Sequence, residues 1–407
     1  MVAGTEMDQS ASRVTVSILP KNWGLLYAAF AFSQVIGLIS YWTLPILAGA
    51  LIAGLGLTGT QVGILGTIEF AGLLVSSLAL APFIDRQIRK TLATASVVIV
   101  IAMNLICAVF DFDYQQLAIL RFLCGLGAGL ALAVGNATIA NAQDAEKFSG
   151  HLTIALVAFM VVIMPIFSRL SAAFGHKGVF LGLAVTVAIG AVSILFLPNG
   201  PSEDLARRHH RVDDHDSAPA SFLTVTGLFV LLIAFLFGVR DTLPWLIAEQ
   251  LGTDAGMSLP EVGNLFSLMY AVSIVGPVSM LFLSRILGPR LLLATSMIAT
   301  GLFAWMFTVS NGDALQFSIG IIVWATIYFI AFAQLNAVAA MIDRKGRLVS
   351  AVGSGFIAGV MAGPVIGGAL LDGGGYRSIG DAELALTALI ALVIFFGLRT
   401  NDRTLKS

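Results

Sequence analysis

The sequence predicts an all-α membrane protein with twelve transmembrane helices in two pseudo-symmetric six-helix bundles. Of its 407 residues, 58% are hydrophobic and only 11% are charged, whereas about a quarter of a soluble globular domain is charged. The chain also contains twelve apolar stretches long enough to cross a bilayer. Finally, its second half repeats features of its first half at a nearly constant offset. Together these observations exclude an ordinary soluble fold.

The apolar stretches reach about the twenty residues that a helix needs to cross hydrocarbon. They are continuously apolar rather than alternating in polarity, which favours helices over the strands of a membrane barrel. Short polar or glycine-containing turns separate them. The predicted spans are 23–49, 60–83, 92–110, 114–141, 150–173, 178–197, 222–248, 260–284, 290–309, 313–341, 348–371 and 382–398.

The basic residues predict how these helices are oriented. Most of the 22 lysines and arginines fall on the side that holds both chain ends, and the opposite side has only Arg169, Lys177 and Arg377. Because lysine and arginine accumulate in cytoplasmic loops, we predict a multi-pass inner-membrane protein with both termini in the cytosol. The first residues lack the basic-then-apolar pattern of a cleaved signal, which favours a cytosolic tail.

A polar connector near the middle of the chain divides it into two bundles. Its histidines and aspartates at 209–216 lack the preorganisation of a metal site, so a solvated linker is preferred over a metal or regulatory site. Cys107 and Cys124 lie in apolar stretches, so no disulfide, metal site or cofactor is predicted. The predicted division is an N-terminal tail at 1–21, a bundle at 22–197, a linker at 198–221, a bundle at 222–399 and a C-terminal tail at 400–407.

An internal repeat supports the two-bundle architecture. The tripeptide at 43–45 recurs at 242–244, and Pro165 falls opposite Pro364, both at an offset of 199. Since one shift relates residues on several helices, the halves are predicted to be parallel repeats about an axis along the membrane normal. Such a layout is typical of transporters, and it places the solute site between the halves near the bilayer midplane.

Three segments resemble signatures of the major facilitator superfamily, in its bacterial twelve-helix type. The loop 85–90 resembles the cytosolic Asp-Arg motif, and 121–129 resembles the motif in which an arginine precedes spaced glycines. The antiporter motif is intact at 363–368 but eroded at 164–168. The resemblance covers residues 22–399 and implies alternating access, with Arg121 in proton coupling or charge relay.

Further residues are predicted to control the conformational change. Charges at the cytosolic helix ends can hold one conformation until they are pulled apart, although some of them only orient the chain. Prolines at matching places of both halves weaken helix hydrogen bonding and permit bending. The predicted latch and gate residues are Asp85, Arg86, Arg285, Asn136 and Asn336, and the predicted hinges are Pro45, Pro244 and Pro364.

Ionisable groups inside the spans are the main candidates for transport chemistry, because each costs at least about 2.5 kcal/mol in hydrocarbon. Glu69 falls near midplane and is predicted to bind a proton or a cationic solute, or to pair structurally with Arg121. Arg240 and Asp241 are adjacent and should point about 100° apart. We therefore expect one of these two to face the cavity while the other pairs with a neighbouring helix.

Polar and aromatic residues of the central helices are candidates for the cavity wall. Each of them could equally be a packing residue or an interhelical hydrogen-bonding group. The candidates are Gln34, Tyr41, Trp42, Trp245, Asn264, Tyr270, Tyr328 and Gln334.

The function predicted from these features is secondary active transport by alternating access. Proton-coupled uptake of a small organic anion is preferred, because two buried arginines can hold a carboxylate while an acid takes the proton. Proton-driven efflux of amphipathic compounds is the alternative, and a solute-sensing receptor is the non-transport one. No metalloprotease or phosphate-binding motif suggests an enzyme. A net charge of −1 gives no basic field for nucleic acid. The expected partners are a small-molecule solute, protons and the lipid bilayer, with the protein as a monomer.

Overall fold

The computed structural model describes residues 23–80, 89–140, 145–197, 224–343 and 346–398, with only the backbone described at 140, 145–147, 149, 281 and 285. Within these ranges the chain is helical almost throughout and contains no β-strand. The structure therefore has the all-helical class that the sequence predicts.

The described residues of the first bundle form six helices. Helix α1 is interrupted, and α5 and α6 are one run that is divided at Gly175, where the backbone leaves the helical region (φ 60°, ψ −147°). A 3-10 turn, Val192–Phe196, extends α6. The helices are α1 (Trp23–Phe30, Ala31–Ile36, Ile39–Trp42 and Leu44–Leu55), α2 (Gly59–Leu80), α3 (Arg89–Val109), α4 (Tyr114–Ala140), and α5 and α6 (Ala145–Ala191).

The second bundle repeats this order. Helix α7 is interrupted at Ile247, and α11 and α12 are one run that is divided at Gly375 (φ 66°, ψ −160°). The helices are α7 (Val225–Leu246 and Ala248–Asp254), α8 (Leu259–Ser273 and Val275–Ile286), α9 (Pro289–Thr308), α10 (Ala314–Ile342), and α11 and α12 (Arg347–Gly397).

Twelve helices can be counted in the described ranges of the chain. Nine helical runs in the described ranges are long and apolar enough to cross a membrane. Two of these runs, Gly150–Phe196 and Arg347–Gly397, are each divided into two helices, so the nine runs contain eleven helices. The segments of α1, which are shorter, together form the twelfth. The two parts of the first run pack against each other, since a Cβ at Gly182 would lie 2.8 Å from the Leu170 side chain and 3.3 Å from the Phe167 ring. The fold agrees with the predicted twelve-helix membrane protein.

Glycines with positive φ make the repeat visible in the backbone. Gly56 and Gly256, which are 200 residues apart, have φ of 65° and 85°. Gly175 and Gly375, at the same spacing, have φ of 60° and 66°. Residues other than glycine rarely adopt a positive φ, so each pair of glycines marks a turn that occurs at the same place in both halves. The repeat predicted from the sequence is therefore a repeat of turns as well as of helices.

The helix ends lie on two faces. We call the face where α1 begins and α12 ends the terminal face, and the face with the turns at Gly56 and Gly256 the far face. Trp23 lies 5.0 Å from Phe196 between ring centroids, which joins the start of α1 to the end of α6 on the terminal face. On the far face, the Tyr376 hydroxyl donates to the Asp254 carboxylate at 2.7 Å.

The two bundles pack tightly in the half of the membrane nearer the far face. Between α2 and α11, the Thr67 hydroxyl donates to the Met361 carbonyl at 2.8 Å, and the Val365 amide donates to the Thr67 hydroxyl at 3.2 Å. Between α5 and α8, the Ser267 hydroxyl donates to the Val161 carbonyl at 2.6 Å. These bonds hold α2 against α11 and α5 against α8 near the far face.

Asp372 at the end of α11 caps the first turn of α2. Its two carboxylate oxygens accept from the Gly59 and Thr60 amides, each at 2.8 Å. Free amides and a positive dipole end at a helix start favour a carboxylate there. The cap belongs to the other bundle, so it also ties the two halves together.

Changing Asp372→Asn should loosen this tie, because the amide has no charge and only one acceptor oxygen. We expect a loss of about 1 kcal/mol, and thus roughly fivefold faster hydrogen exchange at the Gly59 and Thr60 amides. Asp313→Asn is the control, since Asp313 caps α10 within its own bundle. If the Gly59 and Thr60 amides exchanged at the same rate in both variants, the capping of α2 by Asp372 would be contradicted.

Candidate functional site

A narrow cavity of about 20 Å³ lies between the bundles, and aromatic rings form most of its wall. Four helices contribute, of which α1 comes from the first bundle and α7, α8 and α10 from the second. The lining residues are Tyr41, Trp42, Trp245, Met269, Tyr270, Trp324, Ala325, Tyr328 and Phe329.

Ring contacts hold this wall together within each bundle, and a hydrogen bond joins the two parts across the bundle boundary. The Trp245 and Trp324 rings stack with their centroids 5.9 Å apart, and the Tyr41 and Trp42 rings meet edge to face at 4.9 Å. The Trp245 indole donates to the Tyr41 carbonyl at 3.1 Å, which links α7 to α1. The Trp42 indole nitrogen is buried without a hydrogen-bond partner among the described residues. The wall therefore presents flat apolar surfaces with few polar groups.

Five of the eight predicted cavity residues line this space, and three lie elsewhere. Gln334 donates to the Pro289 carbonyl at 3.0 Å inside its own bundle. Asn264 is exposed, 3.4 Å from the Arg169 guanidinium. Gln34 is half-buried beside Ser33. Helical spacing alone could not separate these positions from the residues on the wall, which are Tyr41, Trp42, Trp245, Tyr270 and Tyr328.

Glu69 and Arg121 form a buried two-point ion pair in the core of the first bundle. The Arg121 Nε donates to one Glu69 oxygen at 3.0 Å, and an Nη donates to the other. A second Nη donates to Asn104 of α3 at 3.0 Å, and the guanidinium lies 5.3 Å from the Phe180 ring centroid. The sequence predicted this pair as one of two alternatives, and it missed Asn104.

A close approach of α2 and α4 makes this pairing possible. Gly125 lies one turn after Arg121, and a Cβ there would lie 2.8 Å from the Glu69 carbonyl carbon. Backbone atoms cannot move aside as a flexible side chain can, so only glycine allows this distance. The spaced glycines of α4 thus bring Arg121 within reach of Glu69.

Arg240 and Asp241 pair with each other in the second bundle, which corrects the expectation that they would face apart. The Arg240 Nη2 lies 3.1 Å from the Asp241 Oδ2. The Arg240 side chain is long enough to bend back towards Asp241. Its guanidinium donates hydrogen bonds to two groups of α9, the Met297 carbonyl at 2.7 Å and the Thr300 hydroxyl at 2.6 Å, and these hold it in place. Adjacent residues can therefore meet although their Cβ atoms diverge.

Trp324 connects the cavity to this charge pair. Its indole nitrogen donates to the Asp241 Oδ1 at 2.9 Å, while its ring lines the cavity wall. Both arginines, by contrast, are almost completely buried, at 1% exposure for Arg121 and 0% for Arg240. A solute in the cavity could therefore affect the buried charge pair by way of the Trp324 indole and its hydrogen bond to Asp241.

Two further buried acids escaped the sequence analysis. Glu383 in α12 is 0% exposed, and neither carboxyl oxygen has a hydrogen-bond partner among the described residues. Glu249 in α7 is 3% exposed. Glu249 lies just beyond the predicted span 222–248, and Glu383 is the second residue of the span 382–398. Glu383 was overlooked although it lies inside a predicted span, and slightly wider limits would have brought Glu249 into its span as well.

The predicted gate and hinge residues have mixed placements. Asp85, Arg86 and the linker cluster at 209–216 lie outside the described residues, as does the side chain of Arg285. The predicted gate asparagines do not meet each other through a described contact: Asn136 is exposed, and Asn336 donates to the Phe332 carbonyl of its own helix at 2.9 Å.

Two predicted hinges lie next to helix interruptions. Pro45 follows the break at Thr43, and Pro244 precedes the break at Ile247. Helix α11 runs on through Pro364, which instead packs against Gly63 of α2.

Comparison with known proteins agrees with this architecture. The family model described as Major Facilitator Superfamily matches residues 30–340 and 230–407. Among curated proteins, "Multidrug resistance protein MdtL" of Klebsiella pneumoniae subsp. pneumoniae is 26% identical over 294 residues, covering 65% of this chain and 73% of that protein. MdtL of Escherichia coli O157:H7 is 24% identical over 269 residues, covering 65% of this chain and 68% of that protein.

Solved transporter structures share the fold at low sequence identity. A mutant form of the nucleoside transporter NupG has a TM-score of 0.73 at 12% identity, covering 92% of this chain and 100% of that one. The D-xylose-proton symporter has a TM-score of 0.69 at 13% identity, with coverages of 94% and 98%.

Proposed function

This chain belongs to the Major Facilitator Superfamily of membrane transporters, and from that premise we propose that it exports amphipathic aromatic compounds in exchange for protons. The observation that carries the proposal is the cavity wall, where aromatic side chains and one methionine come together between the bundles. The relatives named as multidrug resistance proteins support the export direction.

The cavity suits a flat apolar solute better than a small anion. Aromatic rings bind other rings through stacked and edge-to-face contacts, and they attract organic cations through their π faces. Its volume of about 20 Å³ is far below that of an occupied small-molecule site, so this conformation is too narrow for such a solute. The solute would enter as the bundles separate and the aromatic walls move apart, in accordance with alternating access.

In the proposed cycle, Asp241 carries a proton in response to the solute. A solute that moves the Trp324 ring weakens the indole hydrogen bond to Asp241 and so changes the stability of the ionised carboxylate. Arg240 keeps the opposite charge beside it at 3.1 Å. We propose Glu69, with Arg121, as a second proton site or as a structural pair, and the variants described in the Discussion distinguish these roles.

We further propose that the terminal face is cytosolic in the inner membrane, as the basic residues indicate. The far face would then be periplasmic, and this conformation would be closed to the outside. Uptake of a small organic anion is the second candidate function. Binding of such an anion would need a guanidinium group that faces the solute. Arg121 and Arg240 are instead bonded to protein acceptors.

Transport by proteoliposomes under an imposed proton gradient tests the proposal, with ethidium as the aromatic solute and benzoate as the anion. We expect proton-driven movement of ethidium only. Asp241→Asn should abolish gradient-driven flux while keeping ethidium exchange, because asparagine accepts the Trp324 hydrogen bond but cannot be protonated.

Trp324→Phe should weaken ethidium binding and coupling together, whereas the matched control Trp305→Phe should change neither. Trp305 lies on α9 and is 37% exposed. Benzoate uptake without ethidium transport would favour the second candidate, and unchanged gradient-driven flux in Asp241→Asn would contradict Asp241 as the proton site.

A further inference from the structure

A second cavity, of about 470 Å³, opens on the far face between α1, α5 and α7. Small residues form most of its wall, including Gly49, Ala53 and Ala172. Glu249 is the one charged residue among its described lining residues. This cavity is separate from the aromatic one and lies where the two bundles meet.

The Glu249 carboxyl group lies at the contact between α1 and α7. A Cβ at Gly49 would lie 3.0 Å from the Glu249 Cδ, so the missing side chain of Gly49 makes room for the carboxyl group. Only 3% of Glu249 is exposed, and its Oε2 has no hydrogen-bond partner in the described part of the chain. None of the ion pairs between described residues includes Glu249.

Burial of this kind links charge to conformation. An ionised carboxylate that is removed from water without a partner costs several kcal/mol, whereas the neutral acid costs much less. When α1 and α7 separate, water from the cavity can solvate the charge. A proton on Glu249 and a closed far face therefore favour each other, as linked equilibria must.

We propose that Glu249 binds a proton at the far face, in addition to the proton that Asp241 carries, and that protonation of Glu249 lets α1 and α7 close that face. The proposal deepens the proposed function and rests on it for the use of a proton gradient. It predicts a closed far face at acid pH and an open one at alkaline pH, because loss of the proton leaves a charge that only the open state can hydrate.

Other ionisable groups on the far face could contribute to such a pH response. The Lys177 ammonium, 2.7 Å from the Asp111 carboxylate, holds the pKa of that exposed carboxyl below its usual value, so this pair stays ionised at mildly acid pH. An experiment must therefore isolate Glu249. The groups on the elements packed around it are Arg169 of α5, His176 and Lys177 of α6, Asp254 of α7, Glu261 of α8, Asp313 before α10 and Asp372 of α11.

Spin labels on cysteines introduced at Ala53 and Ala255 would report the far-face separation by pulsed electron resonance. The full chain is used in liposomes, with the buried Cys107 and Cys124 changed to alanine. This labelled protein is the parent for the variants below. In it we expect a short distance between the two spin labels at acid pH and a longer one at alkaline pH. Glu249→Gln should keep the short distance at both, because glutamine is neutral and similar in shape.

Glu261→Gln is the matched control, since Glu261 is exposed on the same face and glutamine preserves its capping of Ser258. We expect this control to respond to pH as the parent does. A parental response in Glu249→Gln would overturn the proposal. The same holds if Gly49→Ala, whose Cβ displaces the carboxyl group, fails to lengthen the distance at acid pH.

The measurement needs neither solute nor gradient. A lack of proton-driven ethidium transport together with an intact Glu249-dependent distance change would reject the proposed function alone. Proton-driven transport with a distance that ignores Glu249 would reject only the role of Glu249.

Discussion

Arg121→Met is expected to destabilise the protein by about 3–5 kcal/mol and to abolish transport, because it leaves Glu69 as an unpaired buried charge. Arg121 also donates to Asn104 at 3.0 Å, so the substitution removes one partner from each of two neighbouring helices. Thermal unfolding of the purified protein in detergent measures the loss of stability. Ethidium flux in proteoliposomes measures the loss of function.

The double variant Glu69→Gln with Arg121→Met separates a structural role from a functional one. Removing both charges is often neutral for stability or even favourable, since the desolvation cost disappears with them. We therefore expect stability to recover most of the way while gradient-driven transport stays absent. Recovery of both would make the pair structural only, and an undiminished stability of Arg121→Met alone would contradict the buried pairing.

The helices and the repeat were predictable because they depend on patterns within the chain. Hydrocarbon requires continuous apolar stretches, and a duplicated bundle preserves turn glycines such as those at 175 and 375. Breaks inside helices were harder to predict. The interruption of α1 at Thr43 precedes its proline, whereas that of α7 at Ile247 follows its proline. A proline therefore indicates a weak region of a helix but does not locate the break.

Side-chain partners on other helices could not be predicted in the same way. The position of Trp324 as a donor to Asp241 depends on how α7 and α10 pack, which no spacing within either helix encodes. Gln334 was assigned to the cavity because it is polar, yet the Pro289 carbonyl at the start of α9 binds it. Polar residues in apolar helices indicate that a partner is needed, and the tertiary packing decides which group supplies it.

The two halves use matching positions for different purposes. Arg240 and Asp241 form the charge pair of the second bundle, while their counterparts at an offset of 199, Tyr41 and Trp42, line the cavity. Glu69 similarly falls 200 residues before Met269, which also lines the cavity. Each half therefore contributes cavity wall where the other contributes charge. The buried charge pairs therefore lie where the sequence repeat fails, and we expect the transport chemistry at the same positions.

Gly63→Ala is expected to disfavour closure of the far face while leaving each bundle folded. A Cβ at Gly63 would collide with the Pro364 carbonyl oxygen and lie 2.8 Å from its carbon, and both atoms belong to the backbone of the opposite bundle. Overpacking of this kind costs about 1–3 kcal/mol. A penalty of this size on the closed state alone shifts the conformational equilibrium roughly 5- to 150-fold.

Transport should slow accordingly, because alternating access needs both conformations, and spin labels at 53 and 255 should report a longer distance at every pH. Gly373→Ala is the matched control: it lies in the far-face part of α11, and its Cβ would meet no atom within 4 Å. Both substitutions exchange glycine for alanine in a helix, so they share any gain in helix propensity. If Gly63→Ala transports as fast as Gly373→Ala, then the contact between α2 and α11 does not have to open and close during the cycle.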